Sequence, residues 1–149
     1  MYSDIYTAAT SPRTFALFAT GIFSGTTFCV SYASIPAILA SKDPLPAFVQ
    51  TYKKGATIAI SIVISAISNG ACYYYLKDPR FIWSGFFSFL CIPITKFLIM
   101  PINNQLFAME KLGDDYDRNK VYQLVNKWSS MHALRTLSAF VAFAIHVLY

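Results

Sequence analysis

The chain has 149 residues, of which 56% are hydrophobic and only 13% charged, with a mean hydropathy of +0.47. A soluble domain carries about 25% charged residues, so this composition, together with apolar runs of membrane length, excludes a soluble globular protein and implies a single integral membrane domain over residues 1–149. The net charge of +5 does not point to nucleic acid, because the basic residues are scattered beside the apolar runs, where they act as topology signals.

The first apolar run extends from about Thr14 to Leu39. It is too long for the core of a signal peptide and follows Asp4 and Pro12, so it reads as an uncleaved first span. Gly21, Ser24, Gly25, Ala33 and Ser34 give it small residues suited to close helix packing in lipid, and a homo-oligomer is compatible with that face. Pro36 and the Ser41-Lys42-Asp43-Pro44 stretch end it. The second helix starts at Pro44 or Pro46, residues that fit a first turn. It runs through Val49, Tyr52 and Lys53 into Ala56–Leu76 and closes on Tyr73, Tyr74 and Tyr75, an interfacial aromatic cluster. After a turn at Lys77-Asp78-Pro79-Arg80, the third helix runs from Phe81 to about Leu112. Pro93 and Pro101 inside it predict a bend that opens space in a bundle, and Gly113 is its expected C-terminal cap. Asp114 or Asp115 caps the fourth helix, with Asp117 in its first turn. Val121, Leu124, Trp128, His132 and Arg135 follow at spacings of three and four and share one face. The apolar part, Ala133–Tyr149, is just long enough to span.

Three short connections make neighbouring helices antiparallel. The predicted fold is all-α: an up-down-up-down bundle of four transmembrane helices, at least two of which extend beyond the bilayer on one side. That side carries Lys42, Lys53, Lys54, Lys111, Arg118, Lys120 and Lys127, against Arg13, Lys77 and Arg80 on the other. The positive-inside rule places the first set in the cytoplasm and both termini opposite. The expected location is the endoplasmic reticulum or another internal membrane.

Two motifs carry the candidate chemistry: Pro101-Ile-Asn-Asn-Gln-Leu106 at the end of the third helix and Trp128-Ser-Ser-Met-His132-Ala-Leu-Arg135 on the fourth. In the predicted topology Tyr32, Asn103, Asn104, Trp128, His132 and Arg135 fall at one level, with Lys96 two turns deeper and, at seven residues, on the face of Asn103. Lys96 and Arg135 lie in apolar runs that hold no Asp or Glu, and a buried Arg costs about 2.5–3.5 kcal/mol at mid-membrane. Such a cation either snorkels and binds helix carbonyls or holds an anionic oxygen. His132 is either a hydrogen-bonded structural residue or a general base beside that cation. Asn103 and Asn104 either cap and pack or orient a carbonyl, and Trp128 is either an interfacial anchor or the wall of a site for a flat aromatic molecule. His146 reads as an interface residue. Metal chemistry has little support: the two histidines are fourteen residues apart on one helix, and no span carries a carboxylate pattern for a di-iron site. Cys29, Cys72 and Cys91 fit neither a disulfide framework nor a Cys-x-x-Cys motif and read as small buried hydrophobes.

The chain resembles the anthrone oxygenase-like family of small four-helix membrane proteins over nearly its whole length. The resemblance rests on the Gly/Ser-rich first span ending in Tyr32 and Pro36, on residues 101–106, and most specifically on residues 128–135. It implies an oxidation of an anthrone to an anthraquinone by O2 without a recognised cofactor. By that resemblance His132 is the base, Arg135 with Asn103 or Lys96 holds the oxyanion, and Trp128 and Tyr32 flank the rings. The partners so implied are membrane lipid and a hydrophobic aromatic small molecule. A competing expectation from the residues alone is a non-catalytic small subunit or scaffold in which Arg135 and Lys96 bind lipid phosphate. A cavity between Trp128 and Arg135 would favour the enzyme, and an Arg135 fully satisfied by helix carbonyls the scaffold. A transporter is the weaker third reading, since the two halves show no repeat.

Overall fold

The computed structural model describes residues 10–113 and 115–148. Four long helices form it: α1 (Pro12–Ala40), α2 (Pro44–Leu76), α3 (Pro79–Glu110) and α4 (Arg118–Leu148), each long and apolar enough to cross a membrane. At 29 to 33 residues they measure about 44–50 Å at 1.5 Å per residue. That exceeds the roughly 30 Å hydrocarbon layer. The protein is therefore a multi-pass integral membrane protein whose helices are longer than the hydrocarbon layer is thick. Each helix packs on its sequence neighbours, and α1 closes the ring against α4. Asp4 and Asp114 lie outside the described residues, as does Tyr149.

The helix starts follow from a repeated local device. Ser11-Pro12, Asp43-Pro44 and Asp78-Pro79 each place an oxygen-bearing side chain before a proline, whose fixed φ suits the first turn and whose missing N–H costs nothing there. Ser11 Oγ accepts from the Thr14 N–H at 3.3 Å, and the Asp78 carboxylate accepts from the Arg80 N–H at 3.0 Å. Of the described acids, Asp117 rather than Asp115 starts the fourth helix. The Asp117 carboxylate accepts from the N–H groups of Asn119 (2.9 Å) and Lys120 (3.2 Å). Lys77, left-handed at φ 55°, closes α2, and Gly113 adopts φ 65° in the turn after α3.

Two wide turns interrupt the α pattern. Residues Val30–Ser34 of α1 and Ile94–Ile99 of α3 are π-helical. In each the closing bond spans five residues, from the Ile35 N–H to the Val30 carbonyl and from the Met100 N–H to the Thr95 carbonyl. Each ends two residues before a proline, Pro36 and Pro101. In an α register the proline ring would strike the carbonyl four residues back, and the wider π turn moves that carbonyl aside. Pro36 therefore does not end α1, which continues to Ala40.

The core differs between the two halves of the bundle. At the basic end large apolar side chains, including Phe48, Ile99, Leu106, Val125 and Trp128, fill a broad interior. At the other end small polar residues draw the helices together. Thr20 Oγ1 lies 2.7 Å from Ser65 Oγ, which lies 3.0 Å from Ser88 Oγ. Ser84 donates to the Ala142 carbonyl at 2.9 Å and Ser138 to the Phe87 carbonyl at 2.8 Å. Such interhelical bonds contribute about 0.6 kcal/mol each, and the small side chains let backbones approach. Cys72 and Cys91 are buried in this half, whereas Cys29 on α1 is exposed.

Candidate active site

Where the narrow half opens into the broad half, all four helices line one cavity of about 100 Å³. Phe23, Phe48, Tyr52 and Trp128 form aromatic walls. Gly55 and Ala59 leave space on the α2 side, and Asn103, His132 and Arg135 supply polar atoms. The face of α4 delivers its share as the spacing of three and four requires: Trp128 and His132 are buried and Arg135 is half-buried.

Trp128 organises the site. Its indole N–H donates to Asn103 Oδ1 at 2.8 Å. Its ring stacks on the His132 imidazole, with centroids 4.6 Å apart and planes at 23°, and meets the Phe48 ring edge-on at 5.2 Å. The Asn103 bond fixes the amide by its oxygen and leaves Nδ2 without a partner. Arg135 donates from Nη1 to Thr95 Oγ1 at 3.4 Å. The Thr95 hydroxyl itself donates to the Cys91 carbonyl at 2.7 Å and so can only accept from the guanidinium. The Arg135 guanidinium carbon sits 6.0 Å from the centre of the Phe23 ring.

Among the described residues, His132 Nε2, Asn103 Nδ2 and Arg135 Nε are buried without a hydrogen-bond partner, and their residues share this cavity. Buried polar groups are nearly always paired, and leaving one unpaired costs about 1–3 kcal/mol. Two of the three atoms are obligate donors, and the third is a ring nitrogen able to take a proton. The set suits a flat apolar molecule with one oxygen that develops negative charge and one acidic hydrogen. The other two such atoms, Asn69 Oδ1 and His146 Nε2, lie outside the cavity. His146 packs against Phe81, with ring centres 5.7 Å apart. No group of three His, Cys, Asp or Glu side chains comes together among the described residues.

Asn103, Trp128, His132 and Arg135, the four residues singled out in the two motifs, meet in one place. Tyr32, Lys96 and Asn104 do not join them. Tyr32 is 75% exposed and stacks on Phe28 at 5.6 Å. Lys96 and Asn104 are exposed on the outer surface of α3. Asn104 follows Asn103 and so points about 100° away from it. The shared face expected for Lys96 and Asn103 is lost because the π turn lies between them. A turn closed over five residues holds more residues than an α turn, so seven residues no longer complete two turns. Sequence reading missed Thr95, Phe48, Phe23, Ser31 and Thr136. For Thr136 a signal existed, since it stands one turn after His132. For the α1 and α2 residues none did, because their facing depends on the π turn and on interhelical packing.

Comparison with known proteins adds an independent line. The family model described as anthrone oxygenase matches residues 48–145, a stretch that includes Phe48, Asn103, Trp128, His132 and Arg135. The chain is 32% identical over 134 residues to an anthrone oxygenase of Claviceps purpurea (strain 20.1), covering 80% of this chain and 77% of that protein. It is 28% identical over 134 residues to the anthrone oxygenase dmxR16 of Cryptosporiopsis sp. (strain 8999), covering 82% and 75%. It is 24% identical over 149 residues to the anthrone oxygenase nsrD of Aspergillus novofumigatus (strain IBT 16806), covering 92% and 88%. No solved structure matches it.

Proposed function

We propose, because the chain belongs to the anthrone oxygenase family, that it oxidises a lipophilic polycyclic phenol or anthrone with O2 through an enolate, without a metal, in the cavity between Trp128 and Arg135. The observation that carries this reading is that three residues, each with a buried unpartnered polar atom, line one aromatic-walled cavity. A scaffold reading gives these three residues no common purpose, whereas the two other unpartnered atoms, Asn69 Oδ1 and His146 Nε2, lie apart from the cavity.

The ring methylene of an anthrone, opposite its carbonyl, is acidic because its loss of a proton yields a fully aromatic enolate. His132 Nε2 takes that proton, a role worth about 10²–10⁴ in rate for a positioned base. Charge moves to the carbonyl oxygen, where Asn103 Nδ2 and Arg135 Nε donate. Each donor aimed at a developing oxyanion in a water-poor site contributes about 2.7–4 kcal/mol. The electron-rich carbon then gives one electron to O2, the two radicals couple into a C–O bond, and the proton on His132 completes a hydroperoxide. Loss of the second methylene proton breaks the O–O bond, leaving a carbonyl and releasing water. The sum is CH2 plus O2 to C=O plus H2O, so no external reductant enters. Trp128 and Phe48 confine the flat rings, and the basic end of the bundle faces the cytoplasm of an internal membrane.

The test is O2 uptake by the purified protein in detergent with emodin anthrone, for wild type and His132→Ala. Protein-dependent uptake that persists with chelator and falls at least about 100-fold in the variant is the expected result. Uptake no faster than the spontaneous rate, or equal in the two proteins, overturns it and favours the scaffold.

A further inference from the structure

His132 is held from behind by hydroxyls. Its Nδ1 lies 2.9 Å from Ser31 Oγ on α1 and 3.3 Å from Thr136 Oγ1, one turn further along α4. Ser31 Oγ and Thr136 Oγ1 are themselves 2.9 Å apart. Thr136 Oγ1 also reaches two carbonyls, that of His132 at 3.1 Å and that of Thr27 at 3.3 Å. We infer that Ser31 and Thr136 are positioning residues that fix the tautomer of His132, keeping the proton on Nδ1 and the lone pair of Nε2 turned into the cavity.

Counting protons leads to this assignment. Carbonyl oxygens only accept, so the single Thr136 hydroxyl proton goes to one of them and Thr136 Oγ1 is left as an acceptor. Ser31 then donates to Thr136 Oγ1 and accepts from Nδ1–H. The chain Nδ1–H to Ser31 to Thr136 to carbonyl satisfies every hydrogen, and its bonds polarise in one direction. The opposite tautomer has Ser31 donating to Nδ1. It leaves a buried Nε2–H pointing into a cavity whose other unpartnered atoms, Asn103 Nδ2 and Arg135 Nε, are both donors. It also sets that N–H dipole against the Arg135 charge. The lone pair at Nε2 is favoured on both counts.

The π turn of α1 takes part. Ser31 is its second residue, in Val30–Ser34, and the local widening that accommodates Pro36 also determines where Ser31 meets α4. A hydroxyl on one helix and a hydroxyl on another thus clamp the same nitrogen. This arrangement leaves the imidazole no freedom to turn over, because its face is already stacked on Trp128. As positioning residues for a base, Ser31 and Thr136 depend on the role given to His132 above, but the tautomer itself can be read without any substrate.

The experiment is ¹⁵N NMR of the full-length protein, labelled at histidine, in detergent or nanodiscs, with His146→Gln to isolate the His132 signals. The expected result is a protonated, pyrrole-type Nδ1 and a pyridine-type Nε2 in this background. Ser31→Ala and, separately, Thr136→Val shift the population toward Nε2–H and lower kcat at least about tenfold, with KM changed less. Thr136→Ser, which restores a hydroxyl, recovers the wild-type spectrum. An Nε2–H tautomer with the hydroxyls intact overturns the assignment. So does an unchanged spectrum in a folded Ser31→Ala or Thr136→Val protein. Wild-type inactivity alongside an Nδ1–H tautomer overturns the oxygenase reading and leaves the hydroxyl clamp standing; turnover alongside an Nε2–H tautomer does the reverse.

Discussion

The bond from Trp128 to Asn103 joins α4 to α3 and fixes the amide of a residue that lines the cavity, so cutting it should be felt in both stability and turnover. The indole nitrogen lies 2.8 Å from Oδ1, and the two side chains are 4% and 0% exposed. Trp128→Phe keeps an aromatic ring but leaves Asn103 Oδ1 buried and unpaired. Asn103→Leu leaves the indole N–H unpaired. Each single change is expected to cost about 1–3 kcal/mol. The double variant removes both orphans, so its cost falls short of the sum. Interhelical hydrogen bonds in membranes average about 0.6 kcal/mol and reach about 1.7, and the coupling is expected inside that range. Reversible unfolding by SDS in mixed micelles on the four proteins measures it. Costs that add to within about 0.3–0.5 kcal/mol would refute the bond and, with it, the orientation assigned to Asn103.

Other expectations are more local. Arg135→Lys keeps the charge but loses Nε and the planar fork, and kcat/KM for the anthrone falls about 10- to 100-fold, the equivalent of a charged hydrogen bond of about 1.5–3 kcal/mol. Lys96→Ala, on the outer surface of α3, leaves kcat/KM within about twofold, by the rule that distant surface changes stay within about 0.5 kcal/mol. A Cβ at Gly21 would meet Phe143 Cε2 at 3.1 Å, whereas one at Gly25 meets nothing within 4 Å. Thermal unfolding therefore separates Gly21→Val, destabilised by about 1–3 kcal/mol, from Gly25→Ala, stabilised by about 0.5–1 kcal/mol. Outside the spans, desolvation and the hydrogen bond to Asp43 raise the Tyr116 hydroxyl from its ordinary 10.0 to about 12. Its folded value lies above its unfolded one, so its contribution is complete below pH 10 and is lost as the pH rises toward 12. Tyr116→Phe removes that part of the alkaline loss in unfolding curves taken from pH 9 to 12.

Much of this molecule could be read from residue order alone, and the reasons are physical. Hydrocarbon thickness dictates the length of the apolar runs, and the lack of water there forces each run into a helix. Hence four spans and their antiparallel order were legible. The spacing of Trp128, His132 and Arg135 was legible too, because α4 keeps an uninterrupted α register from Arg118 to Leu148. On α3 the same reasoning failed for Lys96. Pro93 and Pro101 announced a disturbance, but a proline pair does not reveal whether the helix answers by bending or by widening into a π turn. The phase slip that sends Lys96 outward and keeps Asn103 inward follows from that choice. Ser31 was hidden for the same reason, and Phe23 and Phe48 because an aromatic in an apolar run gives no sign of whether it faces lipid or a cavity.

The central claim is that His132 removes a proton from the substrate before oxygen reacts, and it can be tested with oxygen absent. Under anaerobic conditions in D2O-based buffer, the wild-type protein is expected to catalyse exchange of the anthrone ring-methylene hydrogens for deuterium, with NMR or mass spectrometry as the readout. His132→Ala is expected to return the exchange to the spontaneous rate. Exchange that is not accelerated by a protein which does consume O2 with the same substrate, or acceleration that survives His132→Ala, would contradict it.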